Sequence, residues 1–320
     1  MRLIRYFPKQ SLPGCVATIG NFDGFHKGHQ RLLSLLKEKS QTLNLPSLVM
    51  SFYPLPQEFL QPGQSNRIMD FYSKFRYLEA FGIDYFACQR FNEAFAQMSA
   101  ETFVQVGLVK ALGVQHLIVG QDFRFGRFAQ GDIELLKVMG HSGRFTVDVV
   151  PDVYEDHEKI SSTQIRQVLE NGDLQKVQSL LGRPYSLTAR VQSGKAMGRT
   201  LGFPTANLAI SPSFLRMSGV YCCFATVGER RHPAVANVGY APTLNGQRKT
   251  VEVHILDFDQ NIYGERLTVE FMHKLRDEKK FPSLSELIAG IKHDIMLAKA
   301  YFADVAPHGA ETSNSIVLTK

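Results

Sequence analysis

The chain has 320 residues, 44% of them hydrophobic, and its 36 basic and 30 acidic side chains give a net charge of +6. That length predicts two domains with a core each, and the hydrophobic content excludes a disordered chain. The charges form no basic block, so the balance suits small anionic ligands as well as nucleic acid.

The opening "MRLIRYFPKQ" lacks the apolar stretch of a signal peptide, and no window approaches the ~20 apolar residues of a membrane span. Then "CVATIG", "SLVMSF", "IDYFAC" and "HLIVG" read as strands, alternating with the helical patterns "HQRLLSLLKEK", "SKFRYLEAFG" and "SAETFVQVGLVKALG". Such alternation predicts an α/β domain with a parallel, Rossmann-like sheet covered by helices. Two helices follow, "SSTQIRQVLENG" and "DLQKVQSLLG", with Gly172 and Gly182 as stops and Asp173 as an N-cap.

After "GRPYSL" the texture changes to the short strands "LTARV", "GVYCCFATV", "AVANVG", "TVEVHIL" and "RLTVEFM", with the closing helix "SLSELIAGIKHDIMLAKAYFA". This predicts an antiparallel barrel or sandwich. The expected division is 1–182, 183–305 and a tail over 306–320. Cys15, Cys88, Cys222 and Cys223 match neither zinc-ligand spacing nor a disulfide framework, so a reducing, cytoplasmic setting is expected.

The string "GNFDGFHKGHQ" stands at the first strand-to-helix junction. If Gly20 to Gly24 form the turn, the helix starts near His26, and its unpaired amides face the crevice at the strand's C-terminal end. Such a crevice attracts phosphate, but a helix end contributes only ~0.3–1 kcal/mol, so further donors are needed. His26 and His29, three apart on one face, supply them, and Gly28 leaves room for a ligand at the backbone. A Walker A loop is excluded, since Gly28 precedes His29 and Gln30 rather than Lys and Ser or Thr. Further on, "SSTQIR" would start a helix capped by Ser161, Ser162 or Thr163, with Arg166 one turn in. In "TVEVHIL", Val251, Val253 and Ile255 share one face and Glu252 and His254 the other, which by pattern alone is a solvated outer face.

In combination, "GNFDGFHKGH", "SFYPLPQEF", "VGQDFRFG" and "ISSTQIR" resemble the HxGH nucleotidyltransferase module of the bacterial bifunctional riboflavin kinase/FMN adenylyltransferase family, and "GFPTAN", "NVGYAPT", "VEVHI" with "IYGE" and "LRDEKKFPSLSELIAGIKHDI" resemble its flavokinase module. The resemblance covers about residues 14–300. It implies ATP-dependent phosphorylation of riboflavin to FMN, then adenylylation of FMN to FAD with release of pyrophosphate. For the first module it implies catalytic His26 and His29, ATP and phosphate contacts at Gly20, Phe22, Asp23, Gly28, Ser162, Thr163 and Arg166, and a nucleotide and flavin pocket including Asp122, Phe123, Arg124 and Phe125. For the second it implies Glu252 as catalytic base, Thr205 and Asn207 holding Mg²⁺ with the ATP phosphates, and a phosphate-covering loop with Gly194, Lys195, Gly198 and Arg199. Arg276 and Phe281 would lie near the flavin. The chain departs from the family's pattern at Ala189 and in "GRFAQGD".

The chemistry suits that division. The phosphate of FMN is mostly dianionic at neutral pH, its second pKa being ~6, so adenylyl transfer needs alignment and charge stabilisation rather than a base. The ribityl hydroxyl of riboflavin is a neutral alcohol, whose phosphorylation benefits from a carboxylate placed to accept its proton. Three other readings are weighed. A kinase with a silent or differently specific first module keeps only the second activity. An HxGH transferase for another acceptor leaves "GFPTAN" unexplained. A nucleic-acid-binding barrel expects exposed aromatics interleaved with Lys and Arg, whereas the aromatics here fall at apolar alternate positions.

Overall fold

The structure, a computed structural model, describes residues 1–61, 67–193, 198, 201–210, 214, 216–243 and 246–305. The expected loop residues Gly194, Lys195 and Arg199, and the expected tail 306–320, lie outside the described residues. The described chain parts into two compact units. The first takes residues up to 61 with Lys74–Ser161, and the second takes 67–73 with everything from Ser162 on.

In the first unit six parallel strands stand in the order β1-β4-β3-β2-β5-β6: β1 (Arg2–Ile4), β2 (Cys15–Ile19), β3 (Ser47–Phe52), β4 (Tyr85–Gln89), β5 (Val114–Gly120) and β6 (Thr146–Val150). Strand β2 is central and wholly buried, so it reads as an unbroken apolar run, as parallel strands covered on both faces do. Helix α1 (Lys27–Leu43) follows β2 and buries Leu32, Leu33 and Leu36 against the sheet. Helix α2 (Phe71–Ala80) precedes β4, and α3 (Ile133–Gly143) precedes β6. The expected helix over "SAETFVQVGLVKALG" is present but widens to i→i+5 hydrogen bonding over Phe103–Ala111. Sequence periodicity does not show that widening. A two-stranded hairpin, β7 (Tyr154–Glu155) with β8 (Glu158–Lys159), closes the unit.

The second unit begins with α4 (Ser162–Asn171) and α5 (Leu174–Leu181). Gly172 and Gly182 take the left-handed conformation that ends each helix, and the Asp173 carboxylate caps the second through the Lys176 amide. Six antiparallel strands then close a barrel in the order β10-β13-β12-β11-β14-β9: β9 (Tyr185–Gln192), β10 (Ala206–Leu208), β11 (Gly219–Val227), β12 (Arg230–Thr243), β13 (Gly246–Ile255) and β14 (Arg266–Arg276). Of the two expected architectures, barrel and sandwich, the barrel forms, because β10 pairs with both β9 and β13 and leaves no open edge. Helix α6 (Leu284–Val305) lays Ala298 and Phe302 on the barrel's outer face against Val220, Cys222 and Val235. The four cysteines form no disulfide and are buried, and burial pushes the Cys15 and Cys222 thiols up to about 12, which leaves those two as packing groups. Among the described residues no helix is long and apolar enough to cross a membrane.

Candidate functional sites

Both units bring expected residues together. In the first, the turn after β2 carries Gly20, Phe22, Asp23 and Gly24 over the C-terminal edge of the parallel sheet, where ligands of open α/β sheets bind. Phe22 (φ 45°) and Phe25 (φ 46°) lie in the left-handed region, a conformation that costs bulky residues energy and persists where the surroundings hold it. Asp23 is buried in the same turn and engaged within the chain.

His26 is the N-cap of α1, and its Nδ1 accepts from the His29 amide at 3.4 Å. With Nδ1 accepting, the ring carries a proton on Nε2. The His29 ring stacks on that of His26, centroids 3.6 Å apart and 22° between planes, and its Nδ1 is buried with no partner. Burial, the neighbouring His26 and the Lys74 ammonium push the His29 pKa well down, so it is neutral in the free protein. Gly28 packs against the His26 ring. A Cβ there would stand 3.1 Å from His26 Nδ1 and 3.2 Å from its Cε1, so the residue is small because the imidazole occupies the space.

The residues after β5 divide. Asp122 is exposed and pairs with Lys159, Arg124 pairs with Asp132 at 3.2 Å, and Phe123 stacks on Phe125 at 5.5 Å. The Phe125 ring is buried against Phe103 in the sheet's core, a packing position. Pattern reading missed a cluster at the same sheet edge: partly buried Phe52, Phe59, Phe91 and Phe95, whose ring centroids lie between 5.4 and 5.8 Å apart in successive pairs. Its only sequence signal is the density of Phe around the ends of β3 and β4. Ser162 and Arg166 share a face of α4 one turn apart, with Thr163 exposed beside them, and all three belong to the second unit.

In the second unit the period-two expectation for β13 holds, since Val251, Val253 and Ile255 are buried inside the barrel and Glu252 faces outward. That outer face is not solvent. Glu252 enters a cavity of about 280 Å³ between the barrel and α6, walled also by Thr205, Asn237, Arg276, Phe281 and Ile291. Burial raises the Glu252 carboxyl above the ordinary carboxylate range. Register places Glu252 opposite Asn207 on β10 and opposite Asn237 on β12, so two amide side chains flank it on adjacent strands. Asn237 was not among the expected residues. A strand-disfavoured Asn amid "AVANVG" was the available sign.

Gly198 also borders the cavity, where a Cβ would collide with the Phe203 carbonyl at 2.4 Å and press on Thr205 Oγ1 at 3.1 Å. Thr205 forms part of a second cavity too, about 230 Å³, with Pro204, Phe258, Asp259 and Tyr263. Arg276 grips Asp294 of α6 with two hydrogen bonds of 2.8 and 2.7 Å, so its guanidinium fastens the helix that roofs the cavity. Among the described residues no group of three or more His, Cys, Asp or Glu could hold a metal ion. The oxygens of Thr205 and Asn207 fit instead a hard cation carried mainly by phosphates, as Mg²⁺ usually is.

A family model described as FAD synthetase matches residues 8–164, and one described as riboflavin kinase matches residues 181–302. The bifunctional riboflavin kinase/FMN adenylyltransferase of Haemophilus influenzae is 41% identical over 307 residues, covering 94% of this chain and 99% of that protein. That of Escherichia coli K12 is 41% identical over 296 residues, covering 92% and 95%. A solved chain from Streptococcus pneumoniae, described as a macrolide-efflux protein, superposes with a TM-score of 0.81 at 31% identity, covering 93% of this chain and 98% of its own.

Proposed function

The chain belongs to the bifunctional riboflavin kinase/FMN adenylyltransferase family, and from that premise we propose that its two units divide flavin activation by proton demand. It is a transferase that uses ATP, riboflavin and FMN as substrates. The single observation that carries the division is the placing of Glu252. A carboxylate lifted by burial lines the cavity of the kinase module, while the turn of the adenylyl module presents two stacked imidazoles, that of His29 neutral.

In the kinase module Glu252 takes the proton of the ribityl hydroxyl as that oxygen attacks the γ-phosphorus of ATP. A pKa raised by burial makes it a stronger base than an exposed glutamate. Asn207 and Asn237 orient the carboxylate and hydroxyl from either side. The flavin ring lies against Phe281 and the apolar face of α6, and the nucleotide extends past Thr205 toward Tyr263 in the neighbouring cavity. Thr205 and Asn207 would hold Mg²⁺, which supplies charge neutralisation on the phosphates when bound. Gly198 borders the same cavity as Glu252, beside Thr205.

In the adenylyl module a phosphate oxygen of FMN attacks the α-phosphorus of ATP and pyrophosphate leaves. The His26 and His29 rings and the α1 amides meet the charge that builds. Gly20, Phe22, Asp23 and Gly28 shape the turn around the nucleotide, and Phe123 with the phenylalanine cluster offers the flavin an aromatic wall. Residues 1–182 carry this step and 183–305 the kinase step, in the cytoplasm. Incubating the purified protein with riboflavin, ATP and Mg²⁺ and resolving products by chromatography tests the reading: FMN should appear first and FAD after it, whereas FMN without FAD would leave the HxGH module silent.

A further inference from the structure

Helix α2 buries a stripe made of Lys74, Tyr77 and Leu78, spaced three and four apart as one helical face requires. A lysine in such a stripe is unusual, because taking an ammonium out of water is costly unless it is paired or hydrogen-bonded. Lys74 is only 6% exposed, and its Nζ donates to the Asn21 carbonyl at 2.6 Å and lies 3.4 Å from Ser51 Oγ. Ser51 donates to the same carbonyl at 3.2 Å, so two donors from two elements converge on one acceptor inside the turn between Gly20 and Gly24. Tyr77 stacks on Phe25 at 5.6 Å. The helix therefore braces the strained turn at two points, one polar and one aromatic.

We propose that Lys74 is a positioning residue for adenylyl transfer: its buried ammonium fixes the turn through Asn21 and holds a positive charge beside His29, where an anionic triphosphate would bind. The inference rests on the assignment of His26 and His29 to that step. Groups facing His29 include the rings of His26, Phe22 and Phe25 from its own turn, and the Lys74 ammonium from α2. Buried Asp23 stands in the same turn, and burial, His26 and Lys74 together leave His29 neutral in the free protein. A bound triphosphate supplies the missing negative charge and favours imidazolium, the better donor.

The test uses the full chain with Lys74→Met, Lys74→Gln and Lys74→Arg, following the His29 titration by NMR without nucleotide, FMN adenylylation against ATP concentration, and riboflavin phosphorylation. Met and Gln should move the His29 titration to higher pH and cut adenylylation roughly 10- to 100-fold, with phosphorylation kept within about twofold, while Arg preserves both readouts. Gln keeps a donor for Asn21 and loses only the charge, so it carries the test if the Met variant does not fold. An unmoved His29 titration with wild-type adenylylation in Lys74→Gln, or Arg faring as badly as Met, would overturn the inference. His29→Ala separates the two levels: full adenylylation there sinks the site assignment itself, whereas its loss beside an indifferent Lys74→Gln sinks only the role given to Lys74.

Discussion

The imidazoles of His26 and His29 stack at 3.6 Å, and the amide of the second donates to Nδ1 of the first. Two rings in contact resist double protonation, yet both lie where the phosphates of a nucleotide would meet the helix start. On the proposed reading the pair is a donor site for those phosphates.

Removing one member should remove transition-state stabilisation from one reaction alone. His29→Ala is expected to lower FMN adenylylation by ~10²–10³ at saturating FMN, as loss of a single preorganised donor does. Riboflavin phosphorylation by the same preparation should stay near wild type. Equal losses in both assays would count against separate sites.

Gly28 is constrained by its neighbour's ring. Gly28→Ala should displace the His26 imidazole and reduce adenylylation by roughly 10-fold or more, because small misplacements of catalytic groups are costly. Circular dichroism should show the fold intact. Wild-type adenylylation in this variant would mean that His26 does not need its observed position.

The depressed pKa of His29 makes a stability prediction with a definite sign. The unfolded chain binds a proton at His29 near pH 6.5, and the folded one only well below it. The associated stability is therefore complete above about pH 6.5 and declines as pH falls from there toward the folded-state value. Thermal melts of wild type and His29→Asn from pH 7.5 to 5 should converge on acidification, with the variant less pH-dependent. Parallel curves would show that His29 does not titrate abnormally.

Glu252 has the opposite sign. Its raised pKa means that ionisation at neutral pH works against the fold, a penalty that grows as pH rises through the ordinary carboxylate range toward the folded value. Glu252→Gln should raise the melting point of the barrel unit, by a stability gain on the order of 1 kcal/mol, while abolishing phosphorylation. A destabilised Gln variant would point to a structural role for the carboxylate.

How much of this could be read from the chain alone depended on whether contacts were local. The HxGH turn is contiguous, so its junction of strand and helix was legible, as was the outward direction of Glu252 from strict alternation in "TVEVHIL". Strands β1 and β10 were not legible, being three residues long and defined by the neighbours they pair with. Strand β6 was missed because "TVDVV" lies at the sheet's edge and shows its polar side to solvent. The outer face of β13 reads as solvated because nothing local announces that α6 covers it. Asn237 and Asn207 flank Glu252 only through barrel register, which turns and distant pairing decide. Lys74 looked like any helical lysine, and its burial follows from where α2 packs.

The division of labour by proton demand is tested most directly by Glu252→Ala assayed twice in one preparation, once for FMN from riboflavin and once for FAD from supplied FMN. The account predicts that phosphorylation falls by at least ~10² while adenylylation of supplied FMN continues at the wild-type rate. Normal FMN production by this variant would contradict it.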